Sequence, residues 1–110
     1  MKKLFTMLVC WMPVCTAANA QKIELPLWTN GAPTDNGLAG QEKDLPNGAS
    51  VMVATPTITV YKAKKPNGKC IIDCPGGGYV AVMMTYEGHD MASWMNSLGL
   101  TYVVLKYRML

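Results

Sequence analysis

Charge is scarce in this sequence. Its 110 residues carry ten Lys plus Arg and seven Asp plus Glu, 15% of the chain. An excess of three positive charges is too small for a nucleic-acid-binding face, and no Lys/Arg stripe concentrates it. Long apolar runs are missing as well. None reaches eighteen residues, so nothing reads as a bilayer span. Histidine occurs once, at His89, and serine only at Ser50, Ser93 and Ser97. Half the residues are nevertheless apolar, which excludes a disordered tail. The length allows at most one small domain.

Residues 1–20 read as an export leader, to be set aside before fold reasoning. Lys2 and Lys3 form a positive start, and Leu4 to Val14 is an apolar stretch too short to span a membrane. Ala18-Asn19-Ala20 supplies the small residues of a cleavage site. A lipid anchor needs small residues before a cysteine, and Val9 before Cys10 and Val14 before Cys15 fit badly. The expectation is export to the periplasm or beyond, with no stable membrane anchor. Removal of the leader leaves ninety residues, a net charge of +1, and two cysteines, Cys70 and Cys74. Four residues of strand would hold those two about 13 Å apart, whereas a disulfide tolerates about 7 Å. No disulfide is expected, and both thiols read as small buried groups on one strand face.

The rest of the chain divides in two. Residues 21–50 read as a loop-like N-terminal arm, because Pro26 interrupts its apolar start and turn signals crowd Thr29 to Gly48. Leu25, Leu27 and Trp28 are the expected anchors of that arm. Residues 51–110 carry the elements. Val51–Val53 suggests a short strand. Thr57-Ile58-Thr59-Val60-Tyr61 alternates as a half-buried strand with Ile58 and Val60 inward. Asn67-Gly68 is a tight-turn signal, so strand 69–73 is expected to pair antiparallel with the first. Cys70 to Asp73 has the apolar character of a buried strand. From Glu87 the period becomes helical, with Met91, Trp94, Met95 and Leu98 on one stripe and Gly99 as terminator. Glu87 and Asp90 suit the positive start of that helix. Leu100 to Tyr107 is another strand, apolar on both faces. A hairpin feeding a βαβ unit predicts an α/β sheet. Such a doubly apolar strand expects cover that one helix cannot supply, so the sequence reads as the N-terminal part of a larger domain.

Pro75-Gly76-Gly77-Gly78-Tyr79 follows the expected end of a buried strand, where α/β proteins place ligand sites. Consecutive glycines turn sharply and leave backbone N–H groups uncovered. Such donors stabilise an anion, either a phosphate or the oxyanion of acyl transfer. The phosphate reading lacks both the Gly-Lys-Ser/Thr ending and the G-x-G-x-x-G pattern. A plain glycine-rich turn remains open.

The segment resembles the His-Gly-Gly-Gly loop of α/β-hydrolase esterases, with Pro75 at the His position. Cys74 to Tyr79, Glu87-Gly88-His89-Asp90 and Leu105-Lys106-Tyr107-Arg108-Met109 are together similar to secreted bacterial esterases acting on acetylated plant polysaccharides. These form the acetylxylan-esterase-like branch of the fold; Tyr107-Arg108 also resembles a pair found in the hormone-sensitive-lipase-like group. The resemblance implies a serine esterase with no cofactor and a small-molecule or polysaccharide ester as substrate. It implies Gly77 and Gly78 as oxyanion donors, Gly76 as the residue shaping the loop, and Tyr79 on the pocket wall. Arg108 would pair with nearby carboxylates, and Leu110 departs from the Pro that often follows.

The triad is missing. Its nucleophile sits in G-x-S-x-G and needs a base oriented by a third group. Ser50 lacks the second glycine, while Ser93 and Ser97 fall in the expected helix. His89 precedes any nucleophile region, against the order Ser, Asp or Glu, His, so it reads as exposed or packing. Cys70, Cys74 and His89 lack the paired spacing of a zinc site. The expectation is an N-terminal fragment of an exported ester hydrolase, carrying part of the oxyanion hole and inactive alone. Two other readings stay open: a small exported carbohydrate- or anion-binding or assembly module, and a fragment of a peptidase of the same fold.

Overall fold

The computed structural model describes residues 21–109. The leader expected over residues 1–20 lies outside them, as does Leu110. A four-stranded mixed sheet and one short helix form the body, an arrangement compatible with part of an α/β domain. Among the described residues no helix is long and apolar enough to cross a membrane.

Strand β6 (Thr101–Lys106) organises the sheet. Tyr102, Val103 and Val104 are all buried, so β6 takes an interior place. It lies antiparallel to β4 (Thr57–Lys62) on one side and parallel to β5 (Cys70–Asp73) on the other. The remaining edge of β4 is occupied by β1 (Gln21–Pro26), antiparallel from Gln21↔Lys62 to Pro26↔Thr57. The order is therefore β1-β4-β6-β5.

Several expectations are corrected by this order. Gln21–Pro26 is a strand rather than loop. Proline, lacking an N–H, is tolerated on an edge, and Pro26 closes an edge strand. No hairpin joins β4 to β5, because both edges of β4 are taken and β6 stands between them. The Asn67-Gly68 turn does form, with Gly68 at φ +83°, but it docks on the helix end. Asn67 N–H donates to the Gly99 carbonyl at 2.8 Å and its Nδ2 to Leu98 O at 3.1 Å. Strand β5 has a single neighbour, so it is exposed rather than buried, with Ile72 66% accessible. Cys70 and Cys74 are free but exposed, not buried thiols. On β4 it is Thr59 that is buried, while Ile58 and Val60 are only half-buried. Thr59 shares its face with Tyr61, which packs edge-on to His89 and beside Tyr102.

The helical segment starts as a 3₁₀ turn (His89–Met91) and continues as α1 (Ala92–Ser97), packed on β6 and β4. Its inner side is Ala92, with Met91 and Met95 at the margin. Trp94 and Leu98, expected inward, are more than half exposed. The inward side runs from Ala92 to Asn96, whose Nδ2 donates to Tyr61 O at 3.0 Å and Leu100 O at 2.9 Å, and this setting of the helix turns Trp94 and Leu98 outward. Gly99 follows the Leu98 cap with φ +80°, as a C-terminal glycine should. The core joins Val53, Val82, Met84, Ala92, Tyr102, Val104 and Met109.

The arm beyond β1 contains a two-stranded ribbon, β2 (Lys43–Asp44) with β3 (Ser50–Val51). Leu25, Leu27 and Trp28 are too exposed to be its anchors. Polar side chains anchor it instead. Asn36 Nδ2 donates to Val53 O at 3.0 Å and Met109 O at 2.9 Å. Glu42 binds Lys106 and accepts the N–H groups of Ala54 and Thr55, each at 3.1 Å. Burial raises the Glu42 carboxyl, but the Lys106 hydrogen bond and the two N–H groups outweigh it and hold it below its ordinary value. Arg108 bonds the Thr34 carbonyl and hydroxyl and lies 6.0 Å from the Trp28 ring. Its partners are thus not carboxylates.

Candidate functional site

Parallel pairing brings the carboxyl ends of β5 and β6 side by side. The glycine run leaves β5 there, and Tyr107 leaves β6. The Tyr107 hydroxyl donates to the Pro75 carbonyl at 2.6 Å. Its titration is pushed up, first by burial and then by Cys74, Glu87 and Tyr79 nearby. From near the start of β6, the Tyr102 hydroxyl meets Asp73 Oδ2 at 2.9 Å and Gly88 O at 3.1 Å. Burial and that carboxylate push the Tyr102 titration well above the ordinary phenol value, so it remains a donor.

The run itself turns through three successive positive φ angles: Gly77 +156°, Gly78 +62° and Tyr79 +66°. Gly77 O accepts from Val80 and Ala81 N–H at 3.2 Å each, and Gly76 O from Met83 N–H at 2.8 Å. A Cβ on Gly77 would collide with the Ala81 carbonyl, so no other residue fits there. Gly78 has open space around it and is required only by its φ. Gly76 N–H donates to Glu87 Oε2 at 2.7 Å. The N–H groups of Gly77, Gly78 and Tyr79 meet no acceptor among the described residues. Tyr79 is 96% exposed, and its side chain stands out from the loop. As a non-glycine residue at positive φ it holds a conformation that costs roughly 1–2 kcal/mol.

The other candidates lie elsewhere. Ser50 and His89 line a cavity of about 230 Å³ between the ribbon and the sheet, with Asp44, Glu24, Thr59 and Lys106. Ser50 Oγ donates to Asp44 Oδ1 at 2.5 Å, and Ser97 Oγ donates to Trp94 O at 2.5 Å. His89 Nδ1 faces the Tyr61 hydroxyl at 2.8 Å. Burial lowers its titration, assisted by Lys22 and opposed by Glu24 and Asp90. Ser50 and His89 thus share a cavity, but each is bonded to another residue. Among the described residues no group of three or more His, Cys, Asp or Glu is placed to hold a metal ion.

The roles of Tyr107 and Glu87 are not apparent from local sequence. Glu87 lies eleven residues from Gly76, and Tyr107 lies thirty-two from Pro75. Glu87 reads from spacing alone as a helix-start carboxylate, yet its oxygen is spent on the glycine loop.

No family model matches the chain. Over 49 residues, 44% of the chain, the sequence is 39% identical to the acetylxylan esterase of Xylanibacter ruminicola. The matched stretch spans 10% of that enzyme's own length. The chain is thus similar, over part of its length, to an ester hydrolase.

Proposed function

We propose that this chain contributes the oxyanion-hole segment of an exported serine esterase of the α/β-hydrolase fold. In this reading the pairing of β5 with β6, joined through the helical segment, belongs to the central sheet of that fold. The substrate is an acetyl ester, carried in nature on plant polysaccharide. Residues 1–20 serve as the leader that brings the protein to the periplasm or outside the cell.

One observation carries the reading. Consecutive N–H groups at Gly77 and Gly78, at the carboxyl end of a parallel strand, meet no acceptor among the described residues. The partial likeness to an acetylxylan esterase supports the same chemistry. During acyl transfer a serine oxygen adds to the ester carbonyl, whose oxygen gains negative charge. Preorganised N–H donors stabilise that charge without having to reorient. When the carbonyl re-forms, the alcohol leaves with a proton from the base. The reading assigns the nucleophile to no serine of this chain, since Ser50 and Ser97 are bonded elsewhere and the side-chain partner of His89 is Tyr61 rather than a serine.

The test uses the natural gene product carrying this sequence. It should release p-nitrophenol from p-nitrophenyl acetate and acetate from acetylated xylan. Replacing the Gly78 amide by a backbone ester removes one N–H without changing shape. kcat should fall about 100- to 1,000-fold, with KM little changed. Unaltered turnover in that variant rejects the oxyanion assignment. Cleavage of peptides without release of acetate would favour the peptidase reading.

A further inference from the structure

Two side chains grip opposite sides of one peptide unit. The Pro75 carbonyl and the Gly76 N–H belong to the same planar amide. Tyr107 donates to that carbonyl at 2.6 Å, and Glu87 accepts from that N–H at 2.7 Å. A Cβ at Gly76 would stand 2.7 Å from Glu87 Oε2, so the carboxylate lies where a side chain would otherwise go. Gly88, next to Glu87, is buried against Pro75. A Cβ there would meet the Met84 carbonyl at 2.5 Å and the Pro75 ring at 3.1 Å. Glu87 is therefore borne by a segment pressed against the loop it holds.

The Pro75–Gly76 peptide is flanked by glycine on its C-terminal side, where no Cβ restricts its rotation. Gly77 and Gly78 follow directly, and their N–H directions depend on the plane before them. Tying both polar ends of that plane forbids its rotation. We propose that Glu87 and Tyr107 are positioning residues that clamp the Pro75–Gly76 peptide and so aim the Gly77 and Gly78 N–H groups. The catalytic half of this inference rests on the oxyanion reading above; the clamp itself does not.

Glu87 is exposed, so its removal leaves the core intact and changes aim rather than folding. In the natural gene product, Glu87→Ala should lower kcat on p-nitrophenyl acetate about 10- to 100-fold, the scale of a small misplacement, with KM within about twofold. Glu87→Gln keeps an acceptor oxygen and should restore most of the loss. Tyr107→Phe should resemble Glu87→Ala, and the double variant should lose less than the product of the two, since both act on one peptide. Amide exchange at Gly76, read by NMR, follows the clamp without any turnover. Protection should vanish in Glu87→Ala and survive in Glu87→Gln. Gly76 protection that ignores residue 87 overturns the clamp, even in an active esterase. Lost protection with unchanged kcat overturns its catalytic role. A wild-type protein without ester hydrolysis rejects the oxyanion reading, and the exchange result then decides the clamp alone.

Discussion

Two of the molecule's glycine turns use the same backbone freedom for different ends. At Asn67-Gly68 the polar groups are spent locally. Asn67 donates to Gly99 O and Leu98 O, and its Oδ1 accepts Lys69 N–H at 3.0 Å. Gly68 sits in open space and is needed only for φ +83°. At Gly76–Gly78 the ends are held and the middle is left free. Tyr107 and Glu87 fix the entry, while the next three N–H groups have no acceptor among the described residues. The first turn is complete within the fold. The second leaves donors that a bound group can complete, which is what a site requires and a connector does not.

Alanine should separate the two turns most sharply. At Gly77 a Cβ collides with the Ala81 carbonyl and the φ is unfavourable. Strain and overpacking of this kind cost about 1–3 kcal/mol each, so Gly77→Ala should lose about 3 kcal/mol or more in a denaturant titration. At Gly68 nothing collides. Gly68→Ala should lose only the left-handed backbone cost, about 1–2 kcal/mol. Equal losses at the two positions would break the contrast, because it rests on one glycine being demanded by space and the other by torsion alone.

The elements were more legible than their neighbours. The β-branched run at Thr57–Tyr61 and the apolar run at Tyr102–Leu105 announce strands, and β4 and β6 are there. Met91 to Leu98 announces a helix, and Gly99 ends it. What a run does not state is how many strands will flank it. Cys70-Ile71-Ile72 is as apolar as β6, yet it stands at an edge. Asn67-Gly68 carries the torsion of a hairpin turn, but β4 had spent both its edges on β1 and β6. Pro26 disguised β1 because it breaks strands in general; at the end of an edge strand it costs no hydrogen bond. The glycine run drew attention to itself. Its supports Glu87 and Tyr107 did not, nor did the arm's anchors Glu42 and Asn36, since all four act across sequence separations that no local pattern encodes.

A smaller effect sharpens the comparison from the structural side. Asn67→Ala removes both side-chain hydrogen bonds, to Leu98 O and from Lys69 N–H. Each is exposed, so the pair should cost about 1–2 kcal/mol. Ester turnover should be unchanged, because the turn lies at the opposite end of β5 from the glycine run. Glu87→Ala should give the reverse pattern, with little stability lost and turnover reduced. A drop in kcat from Asn67→Ala would mean that the two turns are coupled through β5, and the division between them would fail.

The smallest effect is one of pH, and it should fall on the glycine-loop side. The backbone N–H of His89 donates to Met84 O at 2.8 Å, and its ring, bonded to the Tyr61 hydroxyl, ties to β4 the segment that presses Gly88 against Pro75. Tyr61 stays protonated through neutral pH, since burial, then Glu24 and Asp90, raise its titration. It is therefore suited to donate to a neutral ring. Burial, with the Lys22 charge, lowers the folded-state titration of His89, while the unfolded chain takes up its proton near pH 6.5. The unfolded state thus binds the proton more readily. The stability from neutral His89 is whole above about pH 6.5 and is lost as pH falls through the lower folded value. The Asn67 turn is held only by amides and carbonyls and has no such titration. Between about pH 7 and pH 5, amide protection at Gly88 should decline before that at Asn67, after correction for intrinsic exchange. His89→Gln should abolish this order of opening. If the Asn67 turn opened first, or if the order survived His89→Gln, the ring would not be the fastening, and the side of the molecule that holds the free donors would owe its rigidity to the clamp and the core alone.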